Sequence, residues 1–324
     1  MKHRASVVCM LACALCLALG LAGCSQSGSY EGKTLTPTVS APTIGTNGTL
    51  RVGIDADGGA PFITSKSSAQ YAGLDVDMAA ALADQLGLKL ELVDVAGNAA
   101  KALSDGDVDI VMGQSSSEKS TSMWMSDPYL ETGVALFASG SDSVPAQAAA
   151  GSIAAQSSST SAWAVENAFG DEALNPSSDL VSAFSLIETG KATYVAADAV
   201  IGSYAALRQN VDVKPIALLG SKGGYCIGAS SSNQNLQKAI SGALTAIMGN
   251  GVADAVCAKW LGSPVDLDSI TTIEVSASKS SAANSVSGES GEAGSGTAST
   301  TSETASTSTA GANAIQPNST SSSN

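Results

Sequence analysis

Between about residues 46 and 275, short β-branched apolar runs alternate with stretches of helical periodicity, the order expected of an α/β architecture. Strands are predicted over 50–54, 88–95, 108–112, 152–155, 192–197 and 225–229. Helices are predicted over 75–86, 160–169, 198–209, 235–249 and 252–261. The first of these places Val76, Ala79, Ala80 and Ala83 on one face and stops at Gly87. No internal repeat is evident.

The pattern fails at both ends. Met1-Lys2-His3-Arg4 is basic, and an apolar run of about 15 residues follows to Leu19, a length suited to a signal-peptide core and short for a membrane span. Leu21-Ala22-Gly23-Cys24 resembles the bacterial lipobox, whose processing removes 1–23 and leaves a lipid on Cys24. A soluble body is then expected outside the cytoplasm, held at a cell membrane by its acyl chains. Residues 24–45 are rich in Ser, Thr, Gly and Pro and read as a flexible linker. Of the 49 residues from 276 to 324, 37 are Ser, Thr, Ala or Gly, too polar to offset the entropy of ordering, so a disordered tail is expected.

Composition then removes whole classes of function. The net charge of −14, which becomes −16 once Lys2 and Arg4 leave, argues against nucleic-acid binding. The one histidine is His3, within the signal, so the mature chain has no imidazole for a Ser-His-Asp mechanism or for a metal. No cofactor and no metal site is expected. Asp105-Gly106-Asp107-Val108-Asp109 looks like a calcium loop but lacks Gly at the sixth position and an acid at the twelfth, and reads as turn plus strand.

Six segments carry a resemblance when taken in order: Gly48-Thr49-Leu50-Arg51-Val52-Gly53, Ala60-Pro61-Phe62, Gly73-Leu74-Asp75-Val76-Asp77, Ala102-Leu103-Ser104-Asp105-Gly106-Asp107-Val108-Asp109, Ser126-Asp127-Pro128-Tyr129 and Lys259-Trp260-Leu261-Gly262. Together they resemble the family-3 extracellular solute-binding proteins, the amino-acid receptors of ABC importers. The resemblance implies a two-lobed periplasmic-binding-protein-like fold of type II with two hinge crossovers. Lobe 1 would span 46–130 and 223–275, lobe 2 138–215, with crossings near 131–138 and 218–224. It implies a monomer that binds a small amino-acid-like ligand and passes it to an ABC transporter permease, without catalysis.

Site residues follow from the same resemblance. Asp198, where the family has a ligand-binding Asp at a strand end, is the expected ammonium acceptor; a carboxylate there also reads as a helix cap. The family's Arg for the ligand carboxylate is missing, and the turn around 113–120 is about two residues short. Lys119 is the nearest cation, a point charge without the planar fork of a guanidinium. Gly113, Ser115 and Ser116 are expected polar contacts, as are Ser159 and Thr160 in the turn opening the first helix of lobe 2, where exposed N–H groups suit an anion. The usual aromatics are absent from Asp55-Ala56-Asp57-Gly58-Gly59 and Ala96-Gly97-Asn98, which leaves Asp55 to meet a polar or cationic group. The fold would put Cys226 and Cys257 both in lobe 1, and the extracellular setting permits the disulfide expected between them. Two alternatives use the same fold: a sensory or adhesion module, and a dehydratase or lyase working through carboxylates.

Overall fold

The computed structural model describes residues 34–67, 70–117, 123–140 and 143–275. The signal segment, Cys24, Lys119 and the tail expected to be disordered lie outside these residues. Of the segment 1–35 only Thr34 and Leu35 are described, and they form no helix or strand; the compact body runs from Thr36.

The chain opens with β1 (Thr49–Ile54), whose Leu50, Val52 and Ile54 are fully buried. A small hairpin, β2 (Ser65–Ser67) and β3 (Gln70–Ala72), leads to α1 (Leu74–Gln85), β4 (Lys89–Asp94), α2 (Ala99–Asp105) and β5 (Ile110–Ser115). Both β4 and β5 lie parallel to β1, the expected product of helical crossovers. Next come β6 (Met123–Met125), β7 (Leu130–Thr132) and β8 (Val134–Ala138). A second α/β run follows: β9 (Ile153–Gln156), α3 (Thr160–Phe169), β10 (Leu174–Ser177), α4 (Leu180–Glu188), β11 (Tyr194–Asp198), α5 (Ala199–Gln209) and β12 (Lys214–Leu219). The chain ends with β13 (Gly223–Ser230), α6 (Gln234–Gly249), α7 (Val252–Leu261) and β14 (Thr271–Ile273).

Two six-stranded sheets result. The first runs β4-β1-β5-β13-β6, with β7 also paired to β13; the second runs β10-β9-β11-β8-β12-β14. In the first lobe the core is filled by Leu74, Met78 and Leu82 of α1 and Ile240, Leu244 and Ile247 of α6, with Ala253 and Leu261 of α7 joining them. Burying each of the Leu, Ile and Met side chains stabilises by roughly 1.5–3 kcal/mol. The second lobe packs its sheet on both faces, with α4 and α5 on one side and α3 on the other, through cores in which alanine predominates. Small residues let the layers approach: a Cβ on Gly202 in α5 would meet the Phe137 ring at 2.6 Å.

The chain crosses between lobes at Gly133, from β7 into β8, and again at 220–222, from β12 into β13. Three expectations need correction. After α7 the chain passes over a third time: Val265 packs against both cores, Leu267 and Ile270 pack in the second lobe and β14 pairs with β12, so the end of 223–275 does not belong to lobe 1. The stretch 36–45 is not all linker, because Ile44 is 1% exposed in the first core and Thr38 donates both its N–H and its hydroxyl to the Leu86 carbonyl. Finally, Cys226 and Cys257 are free, buried thiols rather than a disulfide. Along β13, Ile227 and Ala229 face the core that holds Cys257; strand alternation turns Cys226 to the opposite face.

The acidic stretch around Asp109 is structural. Arg51 donates through Nη2 and Nε to its carboxylate at 2.7 and 3.3 Å, and the N–H groups of Gly45 and Arg51 complete the site.

Candidate functional site

Parallel strands present ligand sites beyond their C-terminal ends. In the first sheet those ends are Ile54, Asp94 and Ser115; in the second they are Gln156, Ser177 and Asp198. Because β7 runs with β5 and β12 runs with β11, both crossovers leave one lobe at this edge and enter the other at the same edge. The two sets of strand ends therefore flank the hinge.

Asp198 ends β11 and caps α5. Its Oδ1 accepts from the N–H groups of Val200 and Ile201, both at 3.0 Å. Its Oδ2 accepts from the Thr132 hydroxyl at 2.7 Å, and Thr132 is the last residue of β7 in the other sheet. Burial pushes the Asp198 pKa up, against the opposing pull of these three hydrogen bonds. One carboxylate thus joins a helix start to the hinge.

On the first lobe, Gly113 sits in β5 with φ +73°, a conformation that favours glycine. Its N–H donates to Tyr129 Oη at 3.1 Å, and that hydroxyl donates to Asp75 Oδ1 at 2.6 Å. A Cβ on Gly113 would also come within 3.1 Å of Asp75 Oδ2. Asp75 is 6% exposed, and its pKa is pushed up to about 6 by burial, with the Tyr129 hydrogen bond opposing. Tyr225 in β13 packs its ring 4.4 Å from Phe62; burial raises its pKa, and the nearby charges of Asp198 and Asp75 raise it further. No Lys or Arg among the described residues pairs with Asp55, Asp75 or Asp198.

The other expected residues fall around this frame. Ser116 is locked to β13: its hydroxyl accepts from the Gly224 N–H at 2.8 Å, and its own N–H donates to the Gly224 carbonyl. The hydroxyls of Ser115 and Ser117 lie 2.8 Å apart. Asp55 is exposed beyond β1, with Oδ1 accepting from the Asp57 N–H. Across the hinge, Ser159 caps α3 by accepting from the Ala162 N–H at 3.1 Å, and Thr160 is its exposed first residue. Gly113, Ser115 and Ser116 thus share one strand end with Asp55 beside them, while Ser159 and Thr160 open the helix that follows β9 and Asp198 ends the neighbouring β11. The sequence reading missed Asp75, Tyr129, Thr132 and Tyr225 as parts of this region. Two of them stand in the quoted motifs, which was the available signal.

The comparisons with known proteins point the same way. Residues 50–263 match the family described as bacterial extracellular solute-binding proteins, family 3. No curated protein matches the chain. Among solved structures, an ancestral cationic amino acid solute-binding protein is 26% identical, covering 66% of this chain and 96% of its own, with a TM-score of 0.54. The L-cystine solute receptor of Neisseria gonorrhoeae, unliganded and open, is 21% identical, covering 68% and 94%, with a TM-score of 0.58. A polar amino acid ABC uptake transporter substrate-binding protein of Streptococcus thermophilus is 22% identical, covering 68% and 88%, with a TM-score of 0.60. The last two likenesses carry the fold.

Proposed function

The chain belongs to the bacterial extracellular solute-binding proteins of family 3, and from that premise we propose that it captures an amino acid or a close relative between its lobes. The receptor is tethered outside the cytoplasm through a lipid on Cys24 and delivers its solute, unchanged, to the permease of an ABC importer. A ligand that touches both lobes favours the closed form, because only differential affinity moves an open–closed equilibrium.

The observation that carries this reading is Asp198. Its Oδ1 is saturated by two helix N–H groups, but among the described residues Oδ2 accepts only from Thr132 and keeps a lone pair for an ammonium. The solute carboxylate falls to the N–H groups and hydroxyls at the start of α3, around Ser159 and Thr160, and to Lys119. Gly113, Ser115 and Ser116 supply polar contacts from the first lobe, and Asp55 meets a polar or cationic group. Asp75 acts through Tyr129 to hold the Gly113 backbone.

Calorimetric titration of the mature full-length chain with a panel of amino acids tests the assignment. Asp198→Asn keeps a good helix cap, so the protein stays folded. It removes the charge from a hydrogen bond worth roughly 1.5–3 kcal/mol, an affinity loss of roughly 10- to 150-fold. Affinity also falls on acidification, starting above the usual carboxylate range because burial holds the Asp198 pKa high. An amino acid bound equally well by Asp198→Asn overturns the reading.

A further inference from the structure

A cavity of about 450 Å³ opens beside the strand ends of the first lobe. Gln114 and Ser115 of β5 and Met123 and Met125 of β6 form one side, and the start of α2, from Asn98 to Lys101, forms the other. Two features join it to the cleft. Ser115 belongs to both. Gly97, which also lines the cavity, adjoins Asp55: a Cβ placed there would sit 3.9 Å from Asp55 Oδ2.

The space is as large as many complete ligand sites, which run from about 300 to 1,000 Å³. The Ala96-Gly97-Asn98 turn carries no aromatic ring to close it. Its lining selects a chemistry. Gln114 Nε2 donates to the Met112 carbonyl at 2.9 Å and Asn98 Nδ2 to the Ala96 carbonyl at 3.0 Å, so both amide oxygens remain to accept from N–H groups. Met123 and Met125 offer a soft, adaptable apolar surface. Among the described residues of the lining the one charged side chain is Lys101, which attracts a carboxylate; its exposed pairing with Asp105 on α2 is a weak competitor. None of the described lining residues is a carboxylate, and Asp55 adjoins the space only at Gly97, on the side of the cleft. Peptide N–H, modest apolar body and anionic end together describe a second amino-acid residue.

We infer that this cavity is a second subsite, and that the cargo is a dipeptide: its N-terminal residue occupies the cleft with its ammonium at Asp198 and its peptide carbonyl, in place of a free amino acid's carboxylate, at the N–H groups opening α3, and its C-terminal residue lies against Met123, Met125 and Lys101. The inference rests on the receptor reading above and names the substrate class of that same cleft.

The test titrates the mature full-length chain and its Ala100→Trp variant with L-alanine, L-methionine, Ala-Ala and Ala-Met. Ala100 lines the cavity from an exposed position on α2, so the indole fills the space without entering a core. An unchanged thermal midpoint of the unliganded variant checks the fold. The dipeptides are expected to bind the native chain at least about tenfold more tightly than either amino acid. Ala100→Trp removes that margin and leaves amino-acid affinity within about twofold. Should the variant's midpoint shift, Lys101→Met at its exposed site gives a second readout, weakening Ala-Met and sparing methionine. Amino acids bound as tightly as dipeptides, or dipeptide affinity unchanged in both variants, overturns the second subsite and leaves the amino-acid receptor standing. Binding of neither class overturns both.

Discussion

The two lobes bring opposite kinds of polar chemistry to the hinge. The first sets a buried carboxyl, Asp75, behind its strand ends, with one tyrosine hydroxyl and, among the described residues, no cation to compensate it. The second keeps its polar ends committed to its own helices, Asp198 capping α5 and Ser159 capping α3. Their cores differ in the same sense. Large aliphatic side chains fill the first, while alanine layers fill the second around one aromatic pair, Phe137 and Phe184. In the first lobe, then, the group near the cleft opposes stability and is separable from the fold. In the second, the same side chains serve folding and the proposed solute contacts.

The sharpest way to break this contrast is the aromatic pair. Phe137 and Phe184 meet edge to face at 5.7 Å, and both are fully buried. Their alanine neighbours have no length with which to fill a void. Phe184→Ala is expected to cost about 3–5 kcal/mol, read from urea unfolding. A loss below about 1 kcal/mol would show that the second core repacks freely and that the contrast in packing is false.

Asp75 gives the next largest effect, with the opposite sign. Its pKa is about 6 in the folded chain against 3.8 ordinarily, so between those values the folded state holds a proton that the unfolded state has lost. Stability on its account is complete below the ordinary value and declines as pH rises through about 6. Asp75→Asn is expected to stabilise the protein by up to about 3 kcal/mol at pH 7 and to flatten the pH dependence below 6. Thermal unfolding at pH 4.5 and 7.5 (about one and a half units either side of the folded value) measures both. Equal destabilisation at the two pH values would mean that the carboxyl is a needed hydrogen-bond partner and nothing more.

Helices bracketed by chemical signals were legible in the sequence. The predicted bounds of α3 and α7 coincide with the structure, where Ser159 caps one and Gly251 and Gly262 flank the other. The buried stripe of α1 was legible only in part: Ala79 and Ala83 are buried as expected, but Val76 and Ala80 are not, and Leu74, Met78 and Leu82 complete the stripe, whose first turn also buries Asp75. An acid in a first helical turn reads as an exposed dipole partner; only Tyr129, 54 residues away, reveals its buried role. The three-residue β14 exists through its pairing with β12 and has no local pattern. The same limit applies to Thr132, an ordinary strand residue until the fold brings its hydroxyl to Asp198.

The smallest expected effect separates folding from binding in the second lobe. Ser159→Ala removes the acceptor for the Ala162 N–H and is expected to cost about 1 kcal/mol. Ser159→Gly removes the same hydroxyl, yet glycine at a cap costs only a few tenths of a kcal/mol relative to serine. Stability should therefore fall more in the alanine variant than in the glycine variant. Solute affinity should fall alike in both, by several-fold, since the lost hydroxyl is common to them. Affinity that instead tracked stability would make Ser159 a cap alone. The anion-holding role would then pass to the backbone N–H groups of α3 and to Thr160.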